Sequence, residues 1–299
     1  MVTKEDIKAR LRELGLADGD AVVVHSSLKS FGEVEGGADT VVDAILEVIG
    51  AEGTLAVPTF NFEPGIFDHA QTPSITGKIT EAVRARPDAI RSHHPTHSVT
   101  AIGRLAQIVT EGHEKVNPFG RGSALYKLLQ ANTKILQLGT THTTNSMIHV
   151  AEEVAGVPYL ERTRNVGIRM PNGEVIYKWI RRPGCSRGFN AIEEPLQEKG
   201  AIRQVKIGDC TARLMTARAV VDAAIELLKS DIEALLCDIP DCGSCAESRA
   251  MIAAVESEEA EKEIIELAEE EERLRRRIEK RLEGDVSYFE PDGTENLDN

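Results

Sequence analysis

The segment of this 299-residue chain richest in chemistry is Leu138-Gly139-Thr140-Thr141-His142-Thr143-Thr144-Asn145-Ser146-Met147-Ile148-His149-Val150-Ala151-Glu152. It runs from an apolar strand pattern, through a polar turn, into a helical pattern over residues 145–154. His149 and Glu152 stand three apart, which puts them on one face of that helix. A carboxylate beside an imidazole orients the ring and favours its protonated form. A base that takes a proton from an amine nucleophile needs that arrangement. The same spacing also describes an ordinary surface ion pair, so spacing alone leaves both readings open.

Other residues offer different chemistry. The loop Ser26-Ser27-Leu28-Lys29-Ser30 sets hydroxyls and one ammonium at the end of an apolar strand pattern, where ligands of open α/β sheets tend to bind. Gly122-Ser123 opens a helix and offers N–H groups and a hydroxyl to a phosphate, although a serine there is also an ordinary N-cap. His93, His94 and His97 crowd together in the manner of a metal site, but Pro95 stiffens the segment and the nearest acid is Asp88. Cys237, Cys242 and Cys245 are half of a zinc pattern, for which Cys185 or Cys210 is the available fourth ligand. The plainer reading is reduced thiols packed near a turn, and no metal is expected.

Taken in order, several segments resemble the aminoglycoside 3-N-acetyltransferase family. They are His25–Gly32, Gly53-Thr54-Leu55 with Pro58-Thr59, Arg91-Ser92 with His94-Pro95 and Ser98, Ala101-Ile102-Gly103, Gly122-Ser123 with Leu125, Leu138-Gly139, and Thr144 with His149-Val150-Ala151-Glu152. None is specific alone; the ordered set, from about Ile7 to about Leu228, is. The resemblance implies acetyl-coenzyme A as co-substrate and a small amine acceptor. It also implies His149 as catalytic base with Glu152 as its partner. Coenzyme contacts are expected at Ser26, Ser27, Leu28, Lys29, Ser30, His94, Ser98, Val99 and Ser123. The loop after Thr59 is expected to meet a cationic acceptor through Glu63 and Asp68. Direct attack of the amine, with backbone N–H groups near Ser26–Lys29 holding the oxyanion, requires no acyl-enzyme. A metal-dependent hydrolase built on His93, His94 and His97 is the alternative from another class.

These residues must be positioned by alternating helices and strands. Thr3 and Asp6 cap a helix carrying Ile7, Leu11 and Leu14 and stopped by Gly15. Strands are predicted at 21–24, 54–57, 98–102, 134–138 and 202–207, and helices at 39–49, 78–86, 123–129, 145–154, 191–199 and 216–228. Asn172-Gly173 marks a hairpin between 166–170 and 174–179. The long loop 58–76 reads as functional. The expected fold is an α/β sandwich, a central mixed sheet flanked by helices, over residues 1–236. Residues 237–299 are expected to be an appendage: a cysteine-containing turn, a charged helix over 256–283 and a loose tail. The pairs Glu269–Arg273, Glu271–Arg275 and Glu272–Arg276 support that helix, and its thin apolar stripe makes a homodimer conceivable.

Composition bounds the rest. At 41% hydrophobic and only 4% aromatic residues, the core must be filled by aliphatic side chains. A net charge of −14 disfavours nucleic acid and suits a polycationic substrate. No run approaches the roughly 20 apolar residues of a membrane span, and Met1–Leu16 is charged throughout. A cytoplasmic location, with the five cysteines reduced, is therefore expected.

Overall fold

A computed structural model describes residues 1–255 and 270–280. Its strands are β1 (Ala21–Ser26), β2 (Thr54–Pro58), β3 (Ile66–Phe67), β4 (Ile90–Arg91), β5 (Val99–Gly103), β6 (Lys134–Leu138), β7 (Thr163–Arg169), β8 (Val175–Arg181), β9 (Arg203–Ile207) and β10 (Cys210–Thr216). Its helices are α1 (Lys4–Leu14), α2 (Gly37–Ile49), α3 (Lys78–Arg84), α4 (Ala106–Thr110), α5 (Ala124–Gln130), α6 (Met147–Ala155), α7 (Glu193–Glu198), α8 (Ala217–Ser230) and α9 (Gly243–Ala253). Residues 270–280 are also helical.

The main sheet runs β4-β5-β2-β1-β6-β10-β9. Its centre, β2-β1-β6, is parallel, and the flanking pairs are antiparallel, so the sheet is mixed as expected. The central strands are buried on both faces, and their apolar residues divide by alternation. Val22, Val24, Leu55, Val57, Leu136 and Leu138 face one core with α1, α2 and α3. Val23, Ala56, Ala101 and Ile135 face the other with α4, α5, α6 and α8. The capping box at Thr3 and Asp6, and the left-handed Gly15 at the stop, form as the sequence indicates.

This layering decides where a ligand can sit. The chain leaves β1 towards α2 on one face and leaves β6 towards α6 on the other. The two strands are parallel neighbours with Ser26 opposite Leu138. Helices departing to opposite faces leave a crevice beyond the carboxyl ends of such strands.

Several elements depart from the sequence reading. The hairpin β7–β8 belongs to a separate small sheet, ordered β3-β7-β8, so loop 58–76 contains a strand. Strand β10 was not anticipated. Arg213 lies mid-strand, 7% exposed, and its charge breaks the apolar alternation. It is held by Gln137 Oε1 at 3.2 Å and by the Glu193 carboxylate. The short α4 and β4 were not anticipated either. Helix 191–199 divides into a 3₁₀ turn, Phe189–Ile192, and α7. What was read as a cysteine-containing turn includes α9. Of the charged helix, residues 270–280 pack on the body, with Ile278 1% exposed within the same core cluster as α6 and α8; the rest of 256–283 and the tail lie outside the described residues. Glu271–Arg275 and Glu272–Arg276 pair at 3.4 and 3.1 Å; Glu269 lies outside the described residues. Among the described residues, no helix is long and apolar enough to cross a membrane.

Candidate active site

A cleft of about 470 Å³ lies at the crevice beyond β1 and β6. Val24, His25 and Ser26 bring β1 to it, and Thr140, Thr143, Thr144, Asn145 and Ser146 bring the polar turn after β6. Phe60, Phe62, Phe119 and Phe189 make much of the wall apolar, and Arg164 and Arg182 add two cations.

His149 stands in this cleft in the first turn of α6. Its Nδ1 lies 2.5 Å from Glu152 Oε2, and the Tyr159 hydroxyl donates to Glu152 Oε1 at 2.9 Å. Glu152 is fully buried. A carboxylate taken out of water costs several kcal/mol unless its oxygens are bonded; here each oxygen has a partner. Burial and the neighbouring Glu152 push the Tyr159 phenol above its ordinary pKa, so it remains a donor. With Glu152 accepting the Nδ1 proton, the lone pair belongs to Nε2. The ring is clamped by Phe119, stacked at 4.8 Å between centroids, and Phe189, edge-on at 4.7 Å. The His–Glu pair is thus buried, oriented and in a cleft, unlike a surface ion pair.

The remaining sequence expectations divide. Ser26 lines the cleft. Leu28, Lys29 and Ser30 form the 3₁₀ turn beside it, with Lys29 exposed and Ser30 Oγ donating to the Ser27 carbonyl at 2.7 Å. The Ser27 N–H is taken by the Leu138 carbonyl at 2.8 Å and is not an oxyanion donor. Ser123 caps α5, accepting from the Tyr126 N–H at 3.2 Å, and is fully buried. Ser98 is buried too. Its hydroxyl donates to the Thr59 carbonyl at 2.8 Å and accepts from Arg91 Nε at 2.9 Å. Arg91 also reaches the Thr72 carbonyl at 2.6 Å, so these residues tie loop 59–76 to the sheet. Val99 is fully buried in β5. Ser98, Val99, Ser123 and His94 are not part of the cleft wall. Asp68 caps its own turn through the N–H groups of Ala70 and Gln71 and lies 3.5 Å from Arg169. Glu63 lines a separate depression of about 450 Å³, which shares Arg164 with the cleft. Neither acid is in the cleft wall.

The three crowded histidines point apart. His93 stacks on His69 at 3.8 Å. His94 turns inward and accepts the His97 N–H at Nδ1, 3.0 Å away. His97 lies in the cleft wall between Phe60 and Phe119. Burial drives the pKa values of His94 and His97 well below the ordinary range. Among the described residues they form no common ligand set. Sequence reasoning missed Tyr159, Phe119, Phe189, Arg164 and Arg182, because a lone aromatic or arginine outside a motif carries no spacing signal.

Residues 23–229 match the family model "Aminoglycoside 3-N-acetyltransferase". This chain belongs to that family. Aminoglycoside N(3)-acetyltransferase IX of Micromonospora chalcea is 30% identical over 270 residues, which cover 78% of this chain and 95% of that one. The acetyltransferase also superposes on solved structures. A histidine-to-alanine variant of AAC(3)-IVa in complex with a gentamicin gives a TM-score of 0.78 at 26% identity, covering 84% of this chain and 98% of the other. AAC-IIIb in binary complex with CoASH gives 0.69 at 27% identity, covering 76% and 96%. The chain is therefore an acyltransferase, and acetyl-coenzyme A is its co-substrate.

Proposed function

We propose that this acetyltransferase acts on an aminoglycoside, at the 3-amino group of a 2-deoxystreptamine ring, by direct attack with His149 as general base. The observation that carries the reading is the buried Glu152–His149 pair, 2.5 Å apart, with Nε2 left to the cleft. The acceptor nitrogen attacks the thioester carbonyl and gives its proton to His149 Nε2. The coenzyme thiolate leaves and takes that proton back, so the products are the amide and free coenzyme A. Glu152 stabilises the imidazolium formed between the two transfers. The aromatic wall suits the methylene and methyl groups of the pantetheine arm. At the start of a helical turn the first N–H groups lack intrahelical partners, which makes Leu28 and Lys29 the oxyanion donors in place of Ser27. Lys29, exposed on the same turn, is assigned to a coenzyme phosphate.

The acceptor class is supported by the relatives' activity, by the gentamicin complex of the related enzyme and by the net charge of −14, which draws polycations inward. The test is thiol release from acetyl-coenzyme A with gentamicin, apramycin and a neutral amine, with the product located by NMR. Turnover on the aminoglycosides, with the acetyl group on the 3-amino nitrogen, is expected. Thiol release on no aminoglycoside would contradict the proposal.

A further inference from the structure

Outside the histidine motif, four cysteines converge. The Sγ atoms of Cys185, Cys237, Cys242 and Cys245 all lie within 4.8 Å of one another. Cys237 is 3.5 Å from Cys245 and 4.0 Å from Cys185. All four are free thiols, and all but Cys185 are buried. We propose that they bind one zinc ion, in a structural site that fastens a wall of the active cleft.

The spacing is that of one ion. Four sulfurs at about 2.3 Å from a central zinc form a tetrahedron with edges of about 3.8 Å, and the observed separations bracket that value. An iron–sulfur cluster, with its own iron and sulfide atoms between the thiolates, would hold them further apart. The surroundings are those of thiolates rather than packed thiols. Arg187 directs Nη2 at Cys242 Sγ, 2.8 Å away, and Nε at Cys185 Sγ, 3.3 Å away. The backbone N–H groups of Arg187 and Cys237 donate to Cys185 and Cys245 at 3.4 and 3.3 Å. Cys242 is the N-cap residue of α9, and Cys245 lies in the first turn of that helix. Donors on metal-bound sulfur offset the excess negative charge of a four-thiolate zinc centre. Cys210 is elsewhere, beneath Gly139 and Ser30. On binding, Zn²⁺ replaces the thiol protons, which pass to solvent.

The site joins two parts of the chain that the cleft needs together. Cys185 lies between Gly184 and Ser186, both of which line the cleft, and Phe189, which clamps His149, follows shortly after. Gly188 seats directly on the backbone of Leu235 and Leu236, where a Cβ would come within 2.6 Å. The metal would pin that junction.

The test is elemental analysis of the full-length protein purified from zinc-containing medium without chelator, paired with native alkylation mapped by mass spectrometry. One zinc per chain is expected, with the four cluster thiols protected until a strong chelator is added. Cobalt exchanged into the site should give the intense visible bands of a tetrahedral thiolate centre. The variant Cys242→Ser/Cys245→Ser should lose the metal and raise KM for the coenzyme; should it fail to fold, the wild-type stoichiometry and protection decide. Zinc well below one per chain after incubation with zinc chloride would overturn the proposal. So would disulfides among these cysteines, or zinc retained by the double variant.

Discussion

At the scale of single residues, two acids in this chain have quite different surroundings. Glu152 is fully buried, and its oxygens are met by the His149 imidazole and the Tyr159 hydroxyl. Asp68, half-buried, serves its own turn. Only the first arrangement fixes a tautomer and an orientation, and a general base is normally worth about 100- to 10,000-fold in rate. The sequence pointed to His149 and Glu152 through spacing and motif order. It could not show that Phe119 and Phe189 clamp the ring, since those contacts arise only when separate elements close on one another. It also assigned coenzyme contacts to Ser98 and Ser123. Their hydroxyls serve the Thr59 carbonyl and the α5 cap, a role that residue type does not distinguish from ligand binding.

At the scale of elements, the cleft depends on the close approach of the turn after β6 to the 3₁₀ turn after β1. Gly139 has φ +68°, and a Cβ there would fall 1.8 Å from Ser30 Oγ. Gly139→Ala should therefore cost at least about 1–2 kcal/mol through the left-handed backbone alone. It should also displace the Ser27–Ser30 turn and so raise KM for acetyl-coenzyme A. Urea denaturation and steady-state kinetics check both effects; unchanged stability with unchanged KM would contradict this reading of the contact. Elements with uninterrupted patterns, such as α1, α8 and β6, were legible in the sequence. Strand β10 was not, because Arg213 is buried against Gln137 and Glu193, and a paired internal charge looks like solvent exposure in a sequence. The two-residue strands β3 and β4 are defined by their partners and carry no local pattern of their own.

At the scale of the whole molecule, five buried histidines tie stability to pH. Burial lowers the pKa of His25 to about 3 and of His113 and His142 to about 4, and holds His94 and His97 well below their ordinary value of 6.5. These rings are neutral in the folded chain but take up protons near pH 6.5 once unfolded. Their stabilising contribution is thus complete above that pH and is lost as pH falls through the window below it. Glu153 opposes them. Burial raises its pKa from 4.5 to about 7, so the folded state holds its proton over that range and loses the associated stability as pH rises. The balance of five against one predicts a net uptake of about four protons on unfolding, or roughly 5 kcal/mol of stability per pH unit. Urea titrations between about pH 7 and pH 5 should show a steep fall; a flat profile would contradict the assignment. The two-faced core and the ligand crevice were legible as a fold class, but the meeting of Cys185 with Cys237, Cys242 and Cys245 was not. A ligand 52 residues away along the chain from its partner is joined to it only by the fold.

The central claim is that His149 moves the proton, and the most direct measurement is the steady-state rate of His149→Ala with acetyl-coenzyme A and gentamicin, beside coenzyme binding by calorimetry. The account predicts a fall in kcat of about 100- to 10,000-fold with coenzyme affinity retained, and a smaller fall for Glu152→Gln, which keeps a hydrogen-bonding side chain against Nδ1. A His149→Ala enzyme, folded by circular dichroism and turning over near the wild-type rate, would contradict it.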